Sequence, residues 1–248
     1  MTPLLSVRDV TITYPTEQGL LTAVERVSFA VREGERFVLL GPSGCGKSTL
    51  LKSVAGFVAP AAGAIELEGR PVRRPGPDRV VVFQEFDQLL PWRTVTGNVV
   101  YALRVARRLD AATAQAQAAR FIGLVGLQAF ADAYPHQLSG GMKQRVAIAR
   151  SLALDPRMLL LDEPFASLDA LTRRRMQDEL LTIWEATRKT LLFVTHSIEE
   201  AVLLGDRILI LSAHPGQVRT VLDNPAAGWR ESAAALDVQR RVQAALDA

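Results

Sequence analysis

Long apolar runs are missing from this 248-residue chain. The longest, such as MLLL at 158 to 161 and the LLFV before Thr195, are a handful of residues, far short of the roughly 20 a membrane-crossing helix needs. The sequence therefore predicts a chain that does not span a bilayer by itself. Cysteine is nearly absent. Cys45 alone excludes an internal disulfide, agrees with a reducing compartment, and with three histidines leaves no Cys and His cluster for a metal. An excess of one charge is lacking too. Against 29 Lys and Arg stand 26 Asp and Glu, so nothing implies a nucleic-acid partner. The densest basic run, Arg173 to Arg175, falls where the spacing is helical and reads as a solvated helix face. The opening MTPLLSVRDV lacks a basic start, an apolar stretch and a small-residue cleavage site, which predicts a cytoplasmic location. Internal repeats and low-complexity linkers are not found. What remains, 48% hydrophobic and 22% charged, suits one medium-sized globular domain with a substantial core.

LLSVRDVTITY and VERVSFAVREGERFVLLG carry apolar and β-branched residues in near alternation, broken by the turn signal Glu33-Gly34. They predict an N-terminal, mostly antiparallel β subdomain. FVLLG (37 to 41) then runs into a glycine-rich loop and KSTLLKSVAGF, whose spacing is helical, the strand, loop, helix order of an α/β core. From Val95 to Leu127 the chain is rich in Ala, Leu, Arg and Gln without alternation, which predicts a helical insert. RMLLLDEP and TLLFVTH are short apolar runs ending in polar residues, as expected of parallel strands covered on both faces with functional groups at their carboxyl ends. RILILSA adds a strand. A short VRTVLD candidate and an Ala-rich helical tail from Glu231 follow. The simplest organisation is one domain over 1–248, with a helical subdomain at about 87–150 and a tail at about 213–248.

GPSGCGKST places Gly41, Pro42, Ser43, Gly44, Cys45, Gly46, Lys47, Ser48 and Thr49 between a predicted strand and helix in the spacing of a phosphate-binding loop. Gly41, Gly44 and Gly46 permit angles that turn successive N–H groups inward, and the start of the following helix favours an anion. Lys47 is suited to the β and γ phosphates and the Ser48 hydroxyl to Mg²⁺. A chance glycine-rich turn would not place Lys-Ser at this position.

MLLLDEP (158 to 164) ends a strand with two adjacent carboxylates, which strand alternation would send in different directions. Asp162 is suited to hold Mg²⁺, and Glu163 to orient or deprotonate a water attacking the γ phosphate. The plainer reading of such a pair, a solvated strand end, is weakened by the phosphate loop upstream. His196, at the end of TLLFVTH, has the chemistry to donate a hydrogen bond to a γ phosphate. Taken alone, a strand-end histidine is more often structural.

YPHQLSGGMKQRVAIARSLALDPRMLLLDEPFASLDA (134 to 170) resembles the signature-to-D-loop region of ABC ATPases, and the resemblance extends from Leu5 to about Ser212. It implies an α/β P-loop NTPase core of ABC ATPase type, with ATP and Mg²⁺ as ligands. By this resemblance Ser139, Gly140 and Gly141 bind the ATP of an opposite subunit from a helix start. Gln84, ending the predicted strand VVVFQ, matches the Q-loop glutamine that senses Mg²⁺ and the attacking water, Asp169 the D-loop aspartate at the subunit interface, and His196 the switch histidine. Tyr14 matches the residue that stacks on adenine; a core or surface tyrosine is an equal reading of that position. Met142 stands where the family usually has glutamine, which removes one polar contact and leaves the serine and both glycines.

The resemblance further implies a head-to-tail homodimer that closes on ATP and reopens after hydrolysis. Its partners would be two transmembrane permease subunits and, indirectly, an extracytoplasmic solute-binding protein, placing the chain on the cytoplasmic face of the inner membrane. EFDQLLPWRTV after Gln84 is expected to expose Leu, Pro and Trp to a partner's cytoplasmic helix, although Trp92 reads equally as a packed residue. FQEFDQLLPWRTVTGNV together with SAHPG (212 to 216) resembles the branch serving nitrate, sulfonate and taurine importers, with relatives for thiamine-precursor pyrimidines. ABC proteins of translation or DNA repair normally carry two cassettes or a long coiled coil, and neither is here. A non-hydrolytic nucleotide sensor could dispense with Glu163 and His196, and both are present.

Overall fold

The computed structural model describes residues 3–17, 19–84 and 88–247. The chain divides into two compact units, Met1–Gly76 with Lys189–Ala248, and Pro77–Arg188.

The first unit opens with the alternation of its sequence made into a sheet. In β1 (Leu5–Thr16), Leu5, Val7, Val10 and Ile12 turn inward, and β2 (Gly19–Val31) pairs antiparallel with it, Leu5 opposite Val31 and Tyr14 opposite Leu21. Asp9 and Arg26 take left-handed φ values of 47° and 46°, and the register shifts around them. Such bulges keep the apolar residues on the core face by absorbing an extra one. Two strands that the sequence signal does not mark, β4 (Ala62–Leu67) and β5 (Arg70–Pro71), extend the sheet from β1. AGAIEL buries only Ile65 and Leu67, too few for a periodic pattern.

The same unit contains β3 (Arg36–Leu40), flanked in parallel by β8 (Thr190–Thr195) and β9 (Arg207–Leu211), with β10 (Val218–Asp223) antiparallel on β9. Every residue of β3 and β8 is buried, as the short continuous apolar runs predict. Phe29 of β2 stacks on Phe37 of β3 at 5.2 Å between centroids, tying the antiparallel sheet to the parallel strands. The helices of this unit are α1 (Lys47–Ala55), α6 (Ile198–Leu204) and α7 (Ala233–Asp247). In α7 the buried Ala235, Val238 and Val242 recur at three and four residues, so the tail is an amphipathic helix lying on the unit.

In the second unit β6 (Arg79–Val82) pairs in parallel with β7 (Met158–Asp162). Its helices are α2 (Val95–Ala106), α3 (Ala111–Leu124), α4 (Gly140–Ala153) and α5 (Ala170–Thr187). Thr94 and Asp110 cap α2 and α3 by accepting from the amides of Gly97 and Thr113 at 3.0 Å each. These two helices occupy the stretch where the sequence predicts a helical insert. Their buried faces, including Val99, Leu103, Ala114, Ala118 and Ile122, pack on each other and on α4. Among the described residues no helix is long and apolar enough to cross a membrane.

Candidate active site

In the first unit, Leu40 lies opposite Thr195 in the parallel register of β3 and β8. The residues that follow, Gly41 and His196, therefore leave the sheet side by side at its carboxyl edge, where α/β folds place their ligands. The loop from Gly41 turns through left-handed Gly44 (φ 80°) and Gly46 (φ 92°) into α1. Gly46 is the N-cap and provides no side-chain hydrogen bond to the first turn. A Cβ on Gly46 would stand 2.6 Å from Val24 Cγ2 and 2.7 Å from the Ala23 carbonyl oxygen, so only glycine fits there. Lys47 is 4% exposed, and its Nζ donates to the carbonyl oxygens of Gly41 and Pro42 at 2.9 Å each. A glycine loop running into a helix N-terminus, with one cation held at its lip, fits a polyphosphate. Pro42, Ser43 and Gly44 form the exposed crest of the loop, Cys45 is buried beneath it, and Ser48 and Thr49 lie half-buried in the first turn of α1. Tyr14 is half-buried on β1, and its partner Leu21 lies two residues before Ala23, which touches Gly46.

His196 is exposed and set in a capping network that the sequence reading did not identify. The Thr195 hydroxyl donates to the buried carboxylate of Glu200 at 2.7 Å and accepts from the Ser197 amide at 3.0 Å; Ser197 in turn caps α6. The backbone on both sides of His196 is thereby fixed.

In the second unit, Val82 opposes Leu161, so Gln84 and Glu163, each two residues further on, emerge from neighbouring strand ends. Gln84 stands exposed beyond the end of β6, rather than ending the strand as its sequence suggests. Asp162 is the last residue of β7 and is 7% exposed. Glu163 lies past the strand in a left-handed conformation, φ 43°. The two carboxylates are thus separated by a backbone reversal and not by strand alternation. That conformation costs a residue with a Cβ about 1–2 kcal/mol, a strain concentrated at functional positions.

Ser139 is the N-cap of α4 and accepts from the Met142 amide at 3.3 Å, while Gly140 and Gly141 form the first turn. A Cβ on Gly141 would come within 3.2 Å of Thr172 Cγ2, so its smallness also serves the close approach of α4 to α5. Asp169 is the N-cap of α5, accepting from the amides of Leu171 and Thr172 at 3.1 and 3.0 Å. Hydrogen bonds from the Thr172 side chain and then its backbone hold the Asp169 carboxyl below the usual carboxylate range. Ser139 and Asp169 therefore start two adjoining helices.

Beyond Gln84, residues Glu85, Phe86 and Asp87 lie outside the described residues, so the expectation for EFDQLLPWRTV concerns its remainder. Trp92 is 70% exposed and Pro91 exposed, which excludes a packed Trp92, but Leu89 is buried at 4%. Asn98, fully buried, shapes this segment: its Oδ1 accepts from the Leu90 amide and its Nδ2 faces the carbonyls of Leu90, Arg93 and Thr94. Beside Trp92 runs a groove of about 520 Å³ lined by Arg93, Val100, Tyr101, Arg104, Val105 and Arg108. Gln88 exchanges hydrogen bonds with both backbone groups of Phe83 and reaches Gln144 of α4, and Arg150 of the same helix donates to the Gln88 carbonyl. Neither Asn98 nor this bridge carries a recognisable spacing in the sequence.

A glycine cradle at a strand–helix junction, a histidine on the adjoining strand end, and paired carboxylates after an apolar strand define a P-loop nucleotide hydrolase. The chain belongs to the ABC transporter family, whose model matches residues 24–166. It is 45% identical over 233 residues to the nitrate import ATP-binding protein NrtD of Synechococcus elongatus, covering 93% of this chain and 85% of the relative. The taurine import ATP-binding protein TauB of Rhizobium johnstonii is 49% identical over 216 residues, 87% of this chain and 82% of the relative. The bicarbonate transport ATP-binding protein CmpD of Synechocystis is 45% identical over 225 residues, 89% and 79%. A dimeric ATP-binding cassette solved in a post-hydrolysis state with ADP and Pi superposes with a TM-score of 0.77 at 31% identity, covering 88% of this chain and 98% of that one. The protein is accordingly an ATP-binding and ATP-hydrolysing cassette.

Proposed function

We propose that this chain energises an importer of small anionic or zwitterionic solutes, as a head-to-tail homodimer seated on two transmembrane permease subunits at the cytoplasmic face of the inner membrane. An extracytoplasmic solute-binding protein would deliver the solute, so no residue of this chain touches it. Relatives named for nitrate, taurine and bicarbonate support a solute of this class, bicarbonate widening the group that the sequence motifs suggest.

The observation that carries the reading is the buried Lys47 held at the lip of a glycine cradle. In this reading the loop from Gly41 to Thr49 binds the phosphates of ATP, Lys47 adds its charge, and Tyr14 stacks on the adenine. Among the described residues no group of three or more His, Cys, Asp or Glu side chains is arranged to hold a metal. Mg²⁺, a hard cation, would be met by the oxygen donors of Ser48, Asp162 and Gln84. Mg²⁺ bound there supplies neutralisation of phosphate charge. Glu163 orients or deprotonates the attacking water, Gln84 senses it, and His196 donates to the γ phosphate. Ser139, Gly140 and Gly141 contact the ATP of the opposite subunit, and Asp169 lies at the subunit boundary.

ATP that contacts both subunits favours the closed dimer by mass action, and loss of the γ phosphate releases it. The exposed Trp92 and the arginine-lined groove beside it suit a cytoplasmic helix of a permease subunit. The test is uptake of labelled nitrate, taurine and bicarbonate by cells lacking this chain. One uptake should fall, and be restored by the wild-type chain but not by Glu163→Gln. If all three persist at wild-type rates, the solute assignment fails.

A further inference from the structure

The SAHPG segment marks a branch of the family in the sequence, but its place in the structure gives it a physical task. It forms the turn between β9 and β10, closed on itself by the Ser212 amide donating to the Gln217 carbonyl at 2.9 Å and the Gln217 amide to Ser212 Oγ at 3.0 Å. From this turn Gly216 leaves the hairpin and bridges to Val24 of β2. Its amide donates to the Ala23 carbonyl, and its carbonyl accepts from the Glu25 amide, both at 3.0 Å. The Gln217 side chain adds a bond to Glu25 at 2.6 Å.

The turn is thereby pressed against the outer side of the phosphate loop. A Cβ on Gly216 would lie 2.0 Å from the carbonyl oxygen of Cys45. The Ala23 carbonyl that receives the Gly216 amide also closes on Gly46, where a Cβ would stand 2.7 Å away. At the loop's beginning, a Cβ on Gly41 would meet the Leu211 carbonyl oxygen at 3.1 Å, just where β9 enters the same turn. These approaches leave no room for a side chain at Gly46 or Gly216 and little at Gly41.

The consequence follows from the planarity of the peptide bond. Cys45 C=O and Gly46 N–H belong to one rigid trans unit and point in opposite directions. With the Cys45 oxygen facing Gly216 on the outside, the Gly46 amide faces inward, toward the cradle. We propose that the Ser212–Gln217 turn is a positioning element of the phosphate loop, and that Gly216, by its lack of a side chain, sets the Cys45–Gly46 peptide so that the Gly46 amide is presented to the nucleotide phosphates. Gly216 is a positioning residue, since it acts through Cys45 and Gly46. The inference rests on the reading of 41–49 as the phosphate cradle.

Titration of fluorescent ADP and ATP into Gly216→Ala tests it, beside the wild type and the turn control His214→Ala, an exposed position. Loss of one amide donor to a charged phosphate predicts about tenfold weaker binding of both nucleotides in Gly216→Ala, with His214→Ala unchanged. The Gly46 amide resonance, which ADP should shift strongly in the wild type, should shift little in Gly216→Ala even at saturation. A merely structural role would leave that shift intact. Unfolding midpoints without nucleotide establish that the variants are folded. Should Gly216→Ala not fold, Ser212→Ala with Gln217→Ala loosens the same turn without adding bulk, and about threefold weaker binding is expected. Unaltered affinity in the folded variants overturns the positioning role. Absence of binding by the wild type overturns instead the assignment of the cradle itself.

Discussion

Leu40 and Thr195 are register partners on β3 and β8, and this single pairing delivers the phosphate loop and His196 to the same edge of the parallel strands. Neighbouring positions in space, here some 150 residues apart in sequence, come from parallel pairing and not from any local motif. His196→Ala should lower ATP hydrolysis at saturating ATP by about 10²-fold with nucleotide affinity little changed, as expected for a donor used mainly in the transition state. Thr195→Val, which breaks the links to Glu200 and Ser197, should lower stability by about 1–3 kcal/mol and hydrolysis by less than His196→Ala. Steady-state kinetics with denaturant unfolding separate the two. Equal hydrolysis in wild type and His196→Ala would remove the histidine from the site.

Asn98 has four backbone partners and no exposure, so its loss strands several buried polar groups at once. Asn98→Ala should destabilise the protein by about 1–3 kcal/mol and make the Leu90–Thr94 segment more open to protease. Its basal hydrolysis should hold while stimulation by the permease subunits falls. A variant as stable as wild type would show that these bonds are exchanged for water at no cost.

The Asp169 carboxyl, held low by hydrogen bonds from Thr172, gives a directed pH dependence. A depressed native value means that the unfolded state binds the proton more readily in the window between the two. The stabilisation is therefore complete above the ordinary aspartate value of about 3.9 and disappears as pH falls through the lower native value. Asp169→Asn keeps an acceptor for the helix amides without the titration. Its stability relative to wild type should rise as pH is lowered in urea melts from about pH 6 to about pH 2.5. Parallel curves would mean that the capping bond does not discriminate the charged form.

Much of the fold is legible in the sequence because its signals are local. Parallel strands such as RFVLL, TLLFVT and RILIL show as short apolar runs, and the glycine spacing of 41–46 encodes a loop whose conformation each glycine permits by itself. The cap at Ser197 with Glu200 is legible in principle, through the Ser-x-x-Glu spacing before an apolar run. Other features depend on approaches between distant segments. Nothing in SAHPG states that Gly216 will meet Cys45, nor in QRVAIAR that Gln144 will face Gln88. The reversal at Glu163 is likewise hidden, because glutamate carries no preference for positive φ.

That reversal separates stability from activity. With φ at 43°, Glu163→Gly should be more stable than Glu163→Ala by about 1 kcal/mol, although both lack the carboxylate and should be inactive. Thermal or urea melts of the pair decide it. Equal stabilities would mean that the surrounding chain relaxes to spare the strain.

The most direct measurement is ATP hydrolysis by purified wild-type protein and Glu163→Gln, with ATP-dependent dimerisation of each followed by light scattering on a sizing column. If Glu163 positions or deprotonates the attacking water, the variant should be inactive yet bind ATP and accumulate as a dimer. Hydrolysis by Glu163→Gln at the wild-type rate would contradict the assignment of the base and, with it, the reading of this site.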